Sequence, residues 1–508
     1  MSIDQPTTAP RVAQAEINNV LWRACDTLRG NVAATRYKEY ILTLLFVKYL
    51  SDVWRDHYAG YLAKYQGDEA RVARAMQLER FQVPPHCSFE HLYQERHADN
   101  IGELLNIALD DLERANQGKL AGVFRNIDFN SELNMGQTRE RNTRLKLLLQ
   151  DFDDTRLDLR PSVVGNEQVA GNAYEYLVSR FAADAGKQGG EFYTPGEVAE
   201  LLARLLDPQP GARICDPTCG SGSLLVRMAR QVGSRNVALY GQEIDGSTYA
   251  LCRMNMFLHG LDDAQIEWGD TLRNPRLLEG DNLRRFDVVA AHPPFSLDKW
   301  GHEAAGSDRY GRFHRGLPPR SRADYAFMLH MLETTLTGHG QAGVIVPHGV
   351  LFRGGTEGRI RQQLIEENLL DAVIGLPANL FFGTGMPAAI LLFRRGRTTD
   401  DVLFIDASRD FEAGKNQYRL GEAQLTRIVA AYRAYQTEPR YAQRVAPAQL
   451  RDNDYSLNIT RYVDTQEAAA TIDLVATQRE ITRLEGELTA VRRQVHTCLR
   501  ELGIEEEA

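Results

Sequence analysis

The stretch Phe286-Asp287-Val288-Val289-Ala290-Ala291-His292-Pro293-Pro294-Phe295 reads as a buried apolar strand halted by a polar side chain, two prolines and an aromatic ring. Proline lacks an amide donor and fixes φ, so the strand cannot continue past Pro293 and Pro294. What remains is a rigid lip at the carboxyl edge of a sheet, with His292 as a polar head and Phe295 as a flat apolar face. Such a lip suits a planar, partly polar ring, stacked on one face and hydrogen-bonded at its edge. A nucleobase taken out of a duplex is such a ring. Alone, the same run fits a core strand that happens to end in prolines.

A second chemical element precedes it: Asp216-Pro217-Thr218-Cys219-Gly220-Ser221-Gly222-Ser223-Leu224-Leu225. Its glycines let the backbone approach a ligand, and the helix that follows opens with free amides. A dinucleotide-binding turn is one reading, and Glu243, 21 residues after Gly222, fits it. Three details point elsewhere. Leu225 stands where that pattern wants a third glycine, and the double-proline lip follows the fourth strand. Asp216 would repel a pyrophosphate but can pair with an ammonium. A ligand with a cationic amino-acid end and an adenosine end, S-adenosylmethionine, meets these demands. Glu243 would accept the ribose hydroxyls. Asp270 would accept from the adenine amine, or else cap the turn that follows it.

These residues need a sheet to hold them. From about 185 to 410, short β-branched runs alternate with helical stretches, the mark of a doubly wound parallel sheet. Strands are expected at Arg213–Asp216, Asn236–Ile244, Ile266–Gly269, Phe286–Ala291, Gly343–Pro347, Ala372–Leu376 and Ala389–Phe393. Helices are expected at Ser223–Val232, Ser247–His259 and Asp324–Leu336. Ligands of such sheets sit at the carboxyl ends of the strands. Before the sheet, residues 12 to about 165 read as helical. Ile17, Leu21, Ala24 and Leu28 share one face, with Gly30 as a stop, and Tyr37, Tyr40, Ile41, Leu44, Leu45, Lys48 and Tyr49 form a second stripe. Leu474, Ile481, Leu484, Leu488, Val491, Val495, Cys498 and Leu502 carry heptad spacing near the end. That seam fits a coiled coil or partner docking, and also a helix folded back on its own domain.

At 508 residues, two or three domains are expected. The net charge of −9 argues against a chain that wraps nucleic acid unaided, so a basic patch or a partner must do the holding. The candidate patch is the loop Ser296–Arg322, where Lys299, Arg309, Arg312, Arg315, Arg320 and Arg322 interleave with Trp300, Tyr310 and Phe313. A solvated surface loop is the plainer reading. The six cysteines lack zinc-site or disulfide spacing, and no metal is expected. The start of the chain is polar, and the apolar run Tyr40–Leu50 is broken by Lys48 and too short for a bilayer. A reducing, cytoplasmic setting without membrane contact fits.

Gly189-Gly190-Glu191-Phe192-Tyr193-Thr194-Pro195, then Asp216 to Leu225, then Pro293-Pro294-Phe295, resemble the DNA adenine methyltransferases that modify the exocyclic amine. With Asn172-Ala173-Tyr174-Glu175-Tyr176-Leu177 upstream, the chain is similar to modification subunits of type I restriction-modification systems. The likeness extends from Leu21–Gly30 through Pro347–Arg353 to Asp454–Ile459, nearly the whole chain.

The resemblance implies an α/β, Rossmann-like, mostly parallel seven-stranded sheet of an S-adenosylmethionine-dependent methyltransferase. It implies an α-helical amino-terminal domain over 1–165, a catalytic domain over 166–440 and a tail with a coiled-coil helix over 441–508. Phe192, Tyr193, Thr194 and Pro195, with Glu191 beside them, would form the floor under the cofactor's methionine end. Asp216, Gly220, Ser221, Gly222, Ser223, Glu243 and Asp270 would complete the cofactor site, and His292, Pro293, Pro294 and Phe295 the catalytic lip. The partners implied are DNA, a specificity subunit, a second copy of the chain and a restriction subunit.

One position departs from the family, which has Asn or sometimes Asp where this chain has His292. In the family that side chain and the Pro293 carbonyl accept from the target amine, which turns its lone pair toward the methyl group. A neutral imidazole offers one acceptor and a protonated one none. The expectation is therefore impaired, pH-dependent methyl transfer with cofactor binding kept. The alternatives are a cofactor- and DNA-binding scaffold that has lost its chemistry, and a protein-glutamine or RNA methyltransferase.

Overall fold

The computed structural model describes residues 13–29, 34–166, 168–185, 193–382, 384–414, 417–465 and 474–501. The chain divides into two compact units, Met1–Val463 and Asp464–Ala508.

The first unit opens with helices. Gln14–Ala24 buries Ile17, Val20, Leu21 and Ala24, a stripe at three- and four-residue spacing. A short 3₁₀ turn, Cys25–Thr27, follows, and Gly30 lies outside the described residues. The long helix Ala34–Lys64 buries Tyr37, Tyr40, Ile41, Leu44 and Leu45, but Leu42, Thr43, Phe46 and Val47 between them are buried as well, so this stretch is covered on all sides and not along one stripe. Lys48 is buried with them because Asp52, one turn on, takes its charge at 2.6 and 2.7 Å. Asp52 in turn accepts the Leu159 amide at 2.9 Å, so the buried pair has no idle lone pair on that side. The core of this helical layer also takes in Leu251, Met254, Phe257 and Leu258 from the helix Gly246–Leu258, a cover of the sheet. Phe257 lies 6.2 Å from the Phe46 ring and 5.4 Å from Phe81.

Among the described residues eleven strands follow: β1 Arg213–Asp216, β2 Ala238–Glu243, β3 Gln265–Trp268, β4 Leu278–Glu279, β5 Asn282–Leu283, β6 Val288–Ala291, β7 Gln341–Pro347, β8 Leu370–Gly375, β9 Ala388–Arg394, β10 Val402–Asp406 and β11 Ala442–Val445. β4 and β5 form a small hairpin, and the other nine make one sheet in the order β11-β10-β8-β9-β7-β6-β1-β2-β3. All seven expected strands are present and contiguous in it, parallel except for β9, which runs antiparallel between β7 and β8. β10 and β11 extend the sheet beyond β8. Val402-Leu403-Phe404-Ile405 is short and follows a polar run, so periodicity alone does not separate it from a loop. Packing of this body continues past 440: β11, Leu450, Leu457, Ile459, Tyr462 and Val463 are buried in its core. Apolar clusters cover both faces, as parallel strands require.

The second unit carries one long helix, Leu474–Glu501. Ile481, Leu484, Leu488, Val491 and Val495 stand 44–53 % exposed along it. Leu502 lies outside the described residues. Among the described residues no helix is long and apolar enough to cross a membrane.

Candidate active site

The turn between β1 and the helix Ser223–Val232 is built by hydrogen bonds that bring three strand ends together. Cys219 donates its amide to the Gln242 carbonyl at 3.1 Å, and Gly220 donates to Glu243 Oε2 at 2.9 Å. Glu243 Oε1 accepts the Asp245 amide at 2.8 Å. Thr271 Oγ1 donates to the Pro217 carbonyl at 2.6 Å, which ties the end of β3 to the same turn. Gly222 has φ +80°, and a Cβ there would lie 2.7 Å from Met256 Cε and 2.8 Å from Cys252 Sγ. Backbone conformation and close packing both demand glycine at this point. Asn255 holds the turn from below through the Ser221 carbonyl at 3.0 Å.

Asp216 closes β1 and is 2 % exposed. Its Oδ1 accepts the Thr218 amide at 3.0 Å, and among the described residues no Lys or Arg pairs with it. Burial pushes its carboxyl up from 3.8 to about 7, with a smaller push from Glu243. Burial also raises Glu243.

The lip stands beside this turn. Beyond β6, the half-buried His292 ring sits 5.1 Å from the Phe295 ring and 5.0 Å from Phe381. Burial pushes the imidazole down from 6.5 to about 4, so it is neutral at neutral pH. His292 Nδ1 lies 3.0 Å from Thr194 Oγ1. The backbone after Phe295 is fixed by Asp324, whose Oδ1 accepts the Ser296 amide at 2.9 Å while Oδ2 accepts from Arg353 Nη2 at 2.8 Å.

One cleft, whose roughly 310 Å³ of space includes open solvent, joins the two elements. Of the expected site residues, Tyr193, Thr194, Asp216, Gly220, Ser221, Ser223 and His292 line it. Gly222 lies beneath the turn, and Pro195 caps the start of the helix Gly196–Leu206. Glu243 reaches the turn through the Gly220 amide. Asp270 Oδ1 accepts the Leu272 and Arg273 amides at 2.9 and 3.0 Å, so this carboxylate does cap the turn after it. Pro293, Pro294 and Phe295 form the lip itself. Glu191 and Phe192 lie outside the described residues.

The upstream Asn172–Leu177 segment supports this site from behind. Glu175 receives Arg227 at 3.2 Å and Arg230 at 3.7 Å, both from the helix that the glycine turn starts. Arg230 also donates to Asn172 Oδ1 at 2.7 Å. Cys215 and Cys219 are buried, and the Cys219 sulfur is 3.8 Å from that of Cys252, as packing residues would be. His348 Nε2 lies 3.2 Å from the Ala388 carbonyl, a structural contact at the end of β7.

The basic loop is different from its expected form. Arg312 is buried and bonded to Asp308 and to the Thr271 and Leu272 carbonyls at 3.0 and 2.7 Å. Arg315 is buried between Glu333 and Glu367, both at 2.7 Å, and Trp300 is buried with its Nε1 on the Pro319 carbonyl. These side chains fold the loop and have no face left for phosphate. Lys299, Arg309, Arg320 and Arg322 remain exposed. Phe381 and Phe382 escaped the sequence reading. They follow β8, far from the lip in sequence, and Phe382 lies 5.9 Å from the Tyr193 ring. An aromatic pair just beyond a strand's carboxyl end was the available signal.

Comparison with known proteins agrees with this architecture. The family model for N-6 DNA methylase matches residues 165–470, and that for the HsdM N-terminal domain matches residues 17–152. The MpnII type I restriction enzyme methylase subunit of Mycoplasma pneumoniae is 31 % identical, with 96 % of each chain covered. The HindI methylase subunit of Haemophilus influenzae is 30 % identical over 72 % of this chain and 84 % of its own. The crystal structure of a type I restriction-modification methyltransferase subunit from Streptococcus thermophilus superimposes with a TM-score of 0.80 at 33 % identity, covering 89 % of this chain and all of that one. The chain belongs to the N-6 DNA methylase family, among the methylase subunits of type I restriction enzymes.

Proposed function

We propose that this chain transfers a methyl group from S-adenosylmethionine to the exocyclic amine of an adenine drawn out of DNA, with the sequence chosen by a separate specificity subunit. The observation that carries the reading is the single cavity bounded by the Asp216 turn on one side and His292 on the other. The residues fit the donor. A buried carboxyl lifted to about 7 is suited to an arriving ammonium, which would restore its charge. Each Glu243 oxygen accepts one amide and keeps a lone pair for a ribose hydroxyl.

Bound there, S-adenosylmethionine supplies an electrophilic methyl on sulfur. The protein's own part is orientation. The neutral His292 ring offers one acceptor nitrogen and the Pro293 carbonyl offers another. Two acceptors fix the amine's hydrogens and leave its lone pair directed at the methyl. The amine sheds its proton after attack, so no strong base is needed. Phe295 and Phe381 give the base an aromatic wall. The imidazole is bulkier than a carboxamide and is wedged between these rings, so we expect a slower reaction than an Asn would give. The cofactor-binding set is Glu191, Phe192, Tyr193, Thr194, Pro195, Asp216, Gly220, Ser221, Gly222, Ser223, Glu243 and, through Oδ2, the oxygen that does not cap its turn, Asp270; the partners are those of a type I assembly: the specificity subunit, a second copy and a restriction subunit.

The test measures tritiated methyl uptake into DNA by the parent and by His292→Asn, each with the specificity subunit. The variant should run about tenfold faster, ~1.4 kcal/mol in barrier. Equal rates would refute the impairment. Label in the variant's DNA but none in the parent's would leave the parent as a scaffold that binds donor and DNA.

A further inference from the structure

Thr194 and His292 come from opposite sides of the cavity, one from the segment before the sheet and the other from the end of β6, yet their polar atoms meet at 3.0 Å. A hydroxyl can donate or accept, and so can an imidazole nitrogen, so this contact has two states. If Thr194 donates to Nδ1, the ring hydrogen is on Nε2 and that nitrogen presents a donor. If Thr194 accepts from Nδ1–H, Nε2 is left as an acceptor. Only the second can receive a hydrogen bond from an amine.

We propose that Thr194 is a positioning residue that sets the tautomer of His292, and that binding of the methyl donor switches it to the acceptor form. The inference rests on the donor reading above. The amino-acid head of that donor carries a carboxylate one carbon from the ammonium that Asp216 would take. The carboxylate therefore needs hydroxyl or amide donors within the same cavity. Ser221 and Ser223 hydroxyls lie 3.1 Å from one another, and Thr218 leans on Asp216 at 3.5 Å. Thr194 is the lining hydroxyl that faces His292. Once its hydrogen is given to the carboxylate, its oxygen can only accept, and Nδ1 must hold the ring hydrogen. The ring is neutral at neutral pH, so the variable is the position of one hydrogen and not the charge. Phe295 and Phe381 pack the ring from two sides and restrict its reorientation. The base would then be received productively only after the donor is in place.

Nitrogen-15 NMR of the full chain, histidine-labelled and assigned by loss of the signal in His292→Asn, reads the tautomer directly. S-adenosylhomocysteine serves as the probe, and its binding is measured separately by calorimetry. The ring hydrogen of His292 should move to Nδ1 on binding in the parent and in Thr194→Ser, but not in Thr194→Val at saturating probe. In methyl-transfer assays with the specificity subunit at saturating donor, Thr194→Val should lower kcat about tenfold, and the conservative Thr194→Ser should recover most of that loss. Probe binding with no change of tautomer in the parent overturns this inference alone, as does an unchanged response in Thr194→Val. Failure of the parent to bind the probe overturns both this inference and the donor reading.

Discussion

At the scale of single residues, the site depends on two groups whose burial moves them in opposite directions from the usual surface case. Asp216 is lifted from 3.8 to about 7. Its contribution to the stability of the ligand-free fold is fully present below 3.8 and lost as pH rises through about 7, because the folded state binds the extra proton. A cationic donor reverses this preference. Calorimetric titration with S-adenosylmethionine near pH 6.5 should therefore show proton release, seen as a binding enthalpy that varies with the buffer's ionisation heat, and Asp216→Asn should weaken binding by tenfold or more while abolishing the release. His292 is pushed down to about 4, which revises the sequence expectation of pH-dependent chemistry. Between about pH 6 and pH 8 the ring stays neutral. The ratio of parent to His292→Asn methyl-transfer rates should be flat across that range, and a ratio that climbs with pH would show a ring titrating near its ordinary value.

Elements matter through the contacts that align them. The helix Gln168–Ala185 grips the helix Ser223–Val232 through Glu175, whose carboxyl is buried and faces Arg227 and Arg230. Arg227 and Arg230 keep about a quarter of their surface in solvent, so removing the buried carboxylate costs about 1–3 kcal/mol, less than for a fully buried pair. Glu175→Ala should lower the denaturation midpoint accordingly, and because the second helix begins at the glycine turn, it should weaken donor binding too. On the same helix, Gly171 lies against the His259 ring so closely that a Cβ would come within 2.3 Å. Gly171→Ala should destabilise by roughly 1–3 kcal/mol in chemical denaturation. An unchanged midpoint would mean that this helix can move off His259, the residue just past the helix Gly246–Leu258, without loss.

On the scale of the whole molecule, the charge and the tail suggest an assembly. The net charge is −9, and folding removes Arg312 and Arg315 from the cations available to phosphate. DNA must then be held largely by something other than this chain's basic loop. In the helix Leu474–Glu501, Leu484, Leu488, Val491 and Val495 each keep about half their surface exposed, along a three-four seam that fits a helical partner. Charging it with Leu484→Glu and Leu488→Glu should abolish co-purification with the specificity subunit and leave the thermal unfolding of the main body unchanged. Retained co-purification would remove this helix from the interface.

Much of this architecture was legible in order along the chain. The proline pair after Val288–Ala291 stops a strand by covalent geometry, the Gly220–Gly222 turn announces a close backbone approach, and the three-four stripe of Ile17, Leu21 and Ala24 makes a helix by periodicity alone. These are local constraints, and local constraints are written in neighbouring residues. What only the tertiary structure decided is which distant groups meet. Thr194 faces His292 across 98 positions, Phe381 packs on the same ring, and Arg312 and Arg315 turn inward to carboxylates and carbonyls instead of outward to DNA. Such pairings depend on the packing of a nine-stranded sheet and its covering helices, and the same local sequence would serve equally well with different neighbours.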